Sequence, residues 1–129
     1  MGSAVEVSAK NFQATVEQGG IVFLDFWAPW CPPCRSFAPV FEKAAMDNPD
    51  ITFGKVNTDE ETELAGTFDI QSIPTLMIFR DRVLLYSQPG AIGAAALADI
   101  IRQVRAVDMD KVRAELLAQS KGKTGPAQA

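Results

Sequence analysis

Alternating strand and helix signals predict an α/β protein with one central mixed β-sheet and helices on both faces. The predicted order is βαβαβαββα, in which the last two strands form a hairpin and helices join the earlier strands. At 129 residues, of which 47% are apolar, the chain is long enough for one hydrophobic core. A nearly continuous apolar stretch at 21–27 is typical of a central strand covered on both faces.

The chain opens with a strand, a helix and a second strand. Residues 4–7 carry a short strand signal, and Ser8 is suited to cap a helix over 8–18. Gly19-Gly20 then breaks this helix, because glycine is a weak helix former. The apolar strand 21–27 follows.

The middle of the chain continues the alternation. A second helix follows the segment that contains both cysteines and ends near Asp47. Pro39 inside it removes one backbone hydrogen bond, so we expect a kink there. Residues 51–57 form the third predicted strand, and residues 60–68 form the third helix.

A hairpin and a helix complete the predicted domain. Residues 75–79 and 83–87 have strand character and flank Arg80-Asp81-Arg82, which is typical of a hairpin turn. Residues 92–104, rich in alanine and isoleucine, form the last helix of this unit. We therefore assign residues 1–107 to a single domain.

Two further segments are predicted after this domain. Asp108 is suited to cap an additional helix over 108–120, and residues 121–129 have the composition of a disordered tail. The helix packs on the surface of the domain or docks a partner, and the sequence does not select between these alternatives. The apolar residues that share one face of the helix are Met109, Val112, Leu116 and Leu117.

The two cysteines lie three positions apart in Trp30-Cys31-Pro32-Pro33-Cys34. Thiols at this spacing close a small disulfide ring and open it again, which predicts a redox site. Cys31 precedes a predicted helix, where free amides and the helix dipole favour a thiolate, so it is the predicted nucleophile. Cys34, one turn inside the helix, is the predicted resolving thiol. Pro32 and Pro33 are tolerated at the first helical positions but remove possible N–H donors to the Cys31 sulfur.

Three other interpretations of the cysteines fit less well. A purely structural disulfide is disfavoured because so small a loop constrains the unfolded chain little. A zinc site needs about four ligands, whereas the chain offers two thiols and no histidine. This leaves metal binding only through a dimer, and we predict no metal. Two inert buried thiols fit poorly with a proline-rich turn at a helix start.

Asp25 is a lone carboxylate within the apolar strand. Burial without a partner raises the pKa of an acid, and the chain has no histidine, so Asp25 is the natural proton acceptor for Cys34. Lys55 lies on a strand that we expect to neighbour this one, where its charge would adjust the pKa of Asp25. The alternative is a residue bonded to backbone or held in a buried ion pair, and spacing alone does not decide.

A set of short motifs occurs along the chain in a fixed order: Asp25-Phe26-Trp27-Ala28, Trp30-Cys31-x-Pro33-Cys34, Pro39, Lys55-Val56-Asn57, Ile73-Pro74-Thr75 and Gly90-Ala91. In their order and spacing these motifs resemble the thioredoxin family, and the resemblance covers residues 4 to about 105. The chain departs from the family pattern at Pro32, Ser72 and Arg82, where glycine is usual, and at Arg35, where lysine is usual.

The resemblance implies the thioredoxin fold and a functional role for several residues. It favours a catalytic role for Asp25 and implies a cis bond before Pro74, although a trans proline opening an edge strand would otherwise be expected. The cis turn would place Ile73 backbone groups beside the sulfurs, where an extended substrate pairs as an added strand. Trp30 and Gly90 would complete an apolar surface for a protein substrate.

These observations predict an enzyme, a thioredoxin-type protein disulfide reductase with a redox-active Cys31–Cys34 disulfide and no bound cofactor. The resemblance implies protein disulfide substrates and an NADPH-dependent thioredoxin reductase as electron source. Two alternatives remain: a disulfide oxidase or isomerase with the same residues but a higher potential, and a binding module whose thiols are incidental.

Charge and composition exclude other classes of function. The 16 acidic and 12 basic residues are scattered in both signs, which disfavours a nucleic-acid surface. No run approaches the roughly 20 apolar residues of a membrane span. The first residues lack a basic region followed by an apolar stretch, so we expect no secretory signal. We expect a soluble, cytoplasmic monomer with no nucleic-acid or membrane partner.

Overall fold

Five strands of the computed structural model, which describes residues 3–122, form one mixed sheet. The strands are β1 (Val5–Glu6), β2 (Ile21–Trp27), β3 (Thr52–Asn57), β4 (Thr75–Arg80) and β5 (Val83–Pro89). Their order is β1-β3-β2-β4-β5, with the first three strands parallel and β4 and β5 antiparallel to their neighbours. The mixed sheet, with helices on both faces, confirms the predicted fold class.

The helices cover both faces of the sheet, and an apolar layer lies between the sheet and the helices on each face. They are α1 (Phe12–Glu17), α2 (Pro32–Asp47), α3 (Thr62–Thr67), α4 (Ala94–Ala106) and α5 (Met109–Gly122). Successive residues of a strand point to opposite faces, and β2 shows this directly. Phe23 packs with α2 and α4, whereas Leu24 and Phe26 pack with α1 and α3. By the same alternation Asp25 lies on the face that α2 covers.

The first helix is shorter than predicted. It begins at Phe12, and Ser8 does not cap it. Instead Asn11 Oδ1 accepts a hydrogen bond from the Ser8 N–H at 2.8 Å, and the Ser8 hydroxyl accepts one from the Lys10 N–H at 3.3 Å. Such local side-chain bonds to the backbone offer an alternative to helical pairing, so the chain forms a turn before α1 starts.

The other predicted boundaries lie within two residues of the observed ones. The third helix is Thr62–Thr67 and not 60–68, because the N–H groups of Glu60 and Glu61 bond back to the Asn57 carbonyl in a turn. Pro39 lies within a continuous α2, where its missing N–H removes the intrahelical bond to the Arg35 carbonyl. The kink at Pro39 stays a prediction.

The turn between β4 and β5 places two residues in the left-handed region. Asp81 has φ 50° and Arg82 has φ 72°. Aspartate is among the residues that tolerate this region, whereas a long side chain is disfavoured there. Two consecutive positive φ values match the hairpin turn that glycine commonly completes.

Arg82→Gly is therefore expected to raise the free energy of unfolding by about 1 kcal/mol, because glycine adopts φ 72° without steric cost. Arg82→Ala is the matched control, since it removes the weak 3.4 Å bond from the guanidinium to the Glu17 carbonyl and keeps the strain. Urea denaturation of all three proteins measures the effect. An alanine variant as stable as the glycine variant would refute the backbone explanation.

The C-terminal helix α5 is attached to the domain through its beginning. Asp108 caps it as predicted, with Oδ1 accepting from the Lys111 N–H at 3.2 Å. Met109 is buried, but Leu116 and Leu117 are 44% and 60% exposed, so the predicted apolar face is only partly covered. The helix runs to Gly122, two residues beyond the predicted boundary, and the rest of the predicted tail lies outside the described residues.

Arg80 secures the connection that leads into α5. Its Nη1 donates to the carbonyls of Val104 at 2.8 Å and Val107 at 3.0 Å, at the end of α4. A cation at this position also interacts favourably with the helix dipole. No helix within residues 3–122 combines the length and the apolar character that crossing a membrane requires.

Candidate functional site

Cys31 and Cys34 form a disulfide at the start of α2. Cys31 is the N-cap, with φ −90° and ψ 110°, and Pro32 and Pro33 occupy the first two helical positions. The Cys31 sulfur accepts a hydrogen bond from the Cys34 N–H at 3.2 Å. The backbone therefore places at least one donor and the positive end of the helix dipole at this sulfur, which is the arrangement that stabilises a thiolate.

The sulfurs lie against the turn that contains Pro74. The Ile73–Pro74 bond is cis, as the resemblance implied, and the Ile73 carbonyl oxygen is 3.7 Å from the Cys31 sulfur. Gly90, with φ 109°, donates its N–H to the Pro74 carbonyl at 2.7 Å. The fold thus brings together four predicted site residues: Cys31, Ile73, Pro74 and Gly90.

Both cysteines are nearly enclosed in the disulfide form, with exposures of 3% for Cys31 and 2% for Cys34. Ala28 is buried with them, and Trp27 and Ile73 pack against the cluster. In the disulfide form the two cysteines are therefore equally buried. They differ in position, because Cys31 is the N-cap of α2 and Cys34 lies inside the helix.

Asp25 is fully buried in the middle of β2. Neither carboxylate oxygen has a hydrogen-bond partner in the described part of the chain, so the backbone-bonded alternative is wrong. Burial raises the pKa of Asp25 from 3.8 to about 7, and the positive charge of Lys55 opposes part of this rise. An acid with this pKa exchanges its proton near neutral pH, where a thiol must lose one.

Lys55 lies directly across from Asp25 in the register of β3. Its Nζ is 4.4 Å from the centre of the Trp27 ring, a cation–π distance that sequence reasoning did not anticipate. The indole N–H of Trp27 is buried and has no partner among residues 3–122. Lys55 therefore acts on Asp25 through charge, while the aromatic face of Trp27 holds its ammonium.

The structure adds Arg35 and Asp59 to the predicted site. Trp30 is 65% exposed, yet its indole Nε1 donates to Asp59 Oδ1 at 3.1 Å. Arg35 Nη1 donates to the Pro29 carbonyl at 3.1 Å. Sequence reasoning noted Arg35 only as a departure from the family pattern and missed Asp59, because an acidic residue in a loop after a strand carries no distinguishing signal.

The predicted site residues are not all in contact. Asp25 bonds to neither sulfur, and strand alternation places it on the sheet face that α2, the helix of Cys34, covers. The described residues contain no group of three or more histidine, cysteine, aspartate or glutamate side chains arranged to hold a metal ion.

Comparisons with known proteins identify a family and several relatives that this chain resembles. The family model described as thioredoxin matches residues 3–103. A Streptomyces coelicolor protein named "Putative thioredoxin 2" is 53% identical over 119 residues, which cover 92% of this chain and 89% of that protein. This alignment extends past the residues that the family model matches. "Thioredoxin 1" of Synechococcus elongatus is 42% identical over 103 residues, covering 78% of this chain and 96% of its own.

A solved structure gives the same result for the fold. Thioredoxin f from spinach chloroplast, in its short form, superposes with a TM-score of 0.75 at 30% identity. The match covers 81% of this chain and 96% of the spinach chain.

Proposed function

This chain belongs to the thioredoxin family and is a protein disulfide reductase of the thioredoxin type, and on that premise we propose how its residues divide the reaction. The observation that carries the proposal is the placement of one dithiol pair. Cys31 caps a helix, its sulfur accepts the Cys34 N–H, and the Ile73 backbone lies beside it. A dithiol so placed exchanges with a substrate disulfide.

In the first step the Cys31 thiolate attacks one sulfur of the substrate disulfide. A bond forms between Cys31 and that sulfur, and the other substrate sulfur leaves as a thiolate that takes up a proton. The Cys34 N–H and the helix dipole favour the attacking thiolate, because both interact with negative charge on the Cys31 sulfur. The product is a mixed disulfide.

In the second step Cys34 resolves the mixed disulfide. Its thiol loses a proton to Asp25, and the resulting thiolate attacks the Cys31 sulfur and displaces the substrate's remaining sulfur. A pKa of about 7 makes the Asp25 carboxylate an acceptor of suitable strength near neutral pH. Because Asp25 has no direct bond to either sulfur, the proton passes through a solvent molecule or after a small movement of the side chain.

The substrate site lies on the surface around the cis bond. An extended segment of the substrate pairs with the Ile73 backbone as an added strand, and Trp30 and Gly90 flank it. Trp30 is mostly exposed, as an aromatic contact for a protein partner must be, and Gly90 is exposed beside Pro74. Lys55 supports the site because its positive charge partly lowers the pKa of Asp25. Pro32 and Pro33 support it by shaping the turn between the two cysteines.

Family membership also supports the partners. Electrons come from an NADPH-dependent thioredoxin reductase that reduces the Cys31–Cys34 disulfide, so this chain needs no bound cofactor of its own. A reducing role suits the cytoplasm, where thiols are kept reduced. We propose that the protein works there as a monomer.

Two measurements test the function together. The reduced protein should accelerate the reduction of insulin by dithiothreitol, and a redox titration against glutathione should give a potential well below that of the glutathione pair. A potential near −120 mV, in the range of strong oxidants, would favour the oxidase alternative. A protein that binds partners but reduces no disulfide would favour the binding module.

Pro32→Gly and Pro32→Ala are expected to lower the pKa of the Cys31 thiol by about one unit, because each restores an N–H near a sulfur whose present donor is the Cys34 amide. The reduced form is then more stable, so the potential should rise by about 30 mV. Thiolate absorbance titration measures the pKa. A drop in the glycine variant alone would assign the effect to backbone freedom, and no drop in either would refute the role of donor number.

A further inference from the structure

Trp30 is a mostly exposed residue that two other side chains hold in place. Asp59 accepts a hydrogen bond from its indole Nε1 at 3.1 Å. Arg35 donates to the Pro29 carbonyl at 3.1 Å, and this carbonyl belongs to the peptide bond that leads into Trp30. An exposed side chain without partners samples several rotamers. The two bonds restrict the ring of Trp30 from one side and its backbone from the other.

Asp59 is itself attached to the sheet. It lies in the loop after β3, and its N–H donates to Asn57 Oδ1 at 2.9 Å. The neighbouring Thr58 donates its N–H and its hydroxyl to the Trp27 carbonyl, at 2.8 and 3.0 Å. Because Trp27 ends β2, the loop is joined to the end of the central strand. The carboxylate that holds the indole therefore has a rigid support.

Arg35 is fixed relative to the sulfurs. It lies in the first turn of α2, and its backbone N–H donates to the Cys31 carbonyl at 3.1 Å. A guanidinium presents its N–H groups in a planar, preorganised fork, whereas a lysine ammonium is a point charge on a flexible stem. Arginine in place of the family's usual lysine therefore holds the Pro29 carbonyl more firmly.

We propose that Arg35 and Asp59 are positioning residues that hold Trp30 as a fixed wall of the substrate-binding surface. The inference rests on the proposed role of Trp30 in substrate binding. A wall that is already ordered lowers the entropy cost when a protein substrate docks between Trp30 and Ile73. The effect falls on substrate binding and leaves the chemistry of the sulfurs unchanged.

The test compares Asp59→Ala, which has no acceptor, with Asp59→Asn, which keeps Oδ1. Asp59→Ala should raise KM for insulin about threefold to tenfold, the range expected for one lost hydrogen bond. Its kcat and the pKa of Cys31 should match the unsubstituted protein, and Asp59→Asn should restore KM. Arg35→Lys, which keeps the positive charge, should raise KM in the same direction.

A spectroscopic signal reports the bond directly. The indole N–H resonance of Trp30 is assigned by its absence in Trp30→Phe, and its exchange with solvent should be faster in Asp59→Ala. In the double variant Trp30→Phe/Asp59→Ala, KM should be no higher than in Trp30→Phe alone, because phenylalanine has no N–H group for Asp59 to hold.

The outcomes separate this inference from the proposed function. A normal KM in Asp59→Ala, or a KM in Asp59→Asn as high as in Asp59→Ala, overturns the positioning role of Asp59. If KM is raised in Trp30→Phe at the same time, the substrate role of Trp30 is kept. A normal KM in Trp30→Phe overturns both. Disulfide reduction itself stands in either case if it still depends on Cys31.

Discussion

Cys31→Ser should reduce disulfide reduction to the background rate measured without protein. A serine hydroxyl is not ionised near neutral pH, so no nucleophile would remain at the helix N-cap to attack a substrate disulfide. Cys34→Ser should behave differently, because its Cys31 thiolate still attacks. It should complete the first step, fail at the second, and accumulate a mixed disulfide with the substrate.

Mass spectrometry after a single addition of a disulfide substrate distinguishes the two variants. The adduct should appear on Cys31 in Cys34→Ser, and Cys31→Ser should form little or none. The two substitutions are matched in size and chemistry, so a difference between them reports position alone. An adduct that forms on Cys34 in Cys31→Ser at the rate seen for the other variant would reverse the assignment of nucleophile and resolving thiol.

Replacing Asp25 should stabilise the fold and slow the reaction. The folded pKa of about 7 lies above the unfolded value of 3.8, so the folded protein holds a proton that the unfolded chain has lost. The free energy of unfolding therefore falls as the pH rises from about 4 to 7, by on the order of 4 kcal/mol at about 1.4 kcal/mol per pH unit. Asp25→Ala and Asp25→Asn remove this dependence.

Denaturation of the disulfide form at several pH values measures the stability effect. Both variants should be more stable than the unsubstituted protein at pH 8, by on the order of 2–4 kcal/mol, and the gain should shrink towards pH 4, where the carboxyl is neutral in both states. Asp110→Asn, at an exposed position, is the control and should show no such trend. Equal stability of all variants at pH 8 would contradict a buried, uncompensated carboxylate.

The same variants should lose activity at the resolution step. Without a nearby base, Cys34 must ionise unaided, so disulfide reduction near pH 7 should slow by about tenfold or more. The deficit should diminish towards pH 9, where the thiol ionises without help. Normal insulin reduction from pH 6 to 8 would show that Asp25 is a structural residue only.

Elements with strong periodic or apolar patterns were predicted well, and elements set by local side-chain bonds were not. Both ends of the strand over 21–27 were predicted correctly, because a strand buried on both faces has a nearly continuous run of apolar residues. The observed N-cap of α1, Asn11, lies three residues after the predicted cap Ser8, because both side chains bond to nearby backbone groups and delay the helix. Such competition depends on geometry that spacing does not reveal.

The sequence by itself determined the dithiol, its place at a helix start, and the lone carboxylate in a buried strand. These features are local, since each depends on neighbours within a few positions or on the pattern of one element. The cis bond before Pro74 was available only through the family resemblance, because most prolines are trans.

Only the tertiary structure decided what meets across the fold. The 3.7 Å approach of the Ile73 carbonyl to the Cys31 sulfur, the cation of Lys55 over Trp27, and the bond from Trp30 to Asp59 join residues 28 to 42 positions apart. The same holds for Asp25, whose raised pKa depends on how completely the surrounding elements exclude water. Distances and desolvation arise from packing between elements, so no local pattern in the sequence specifies them.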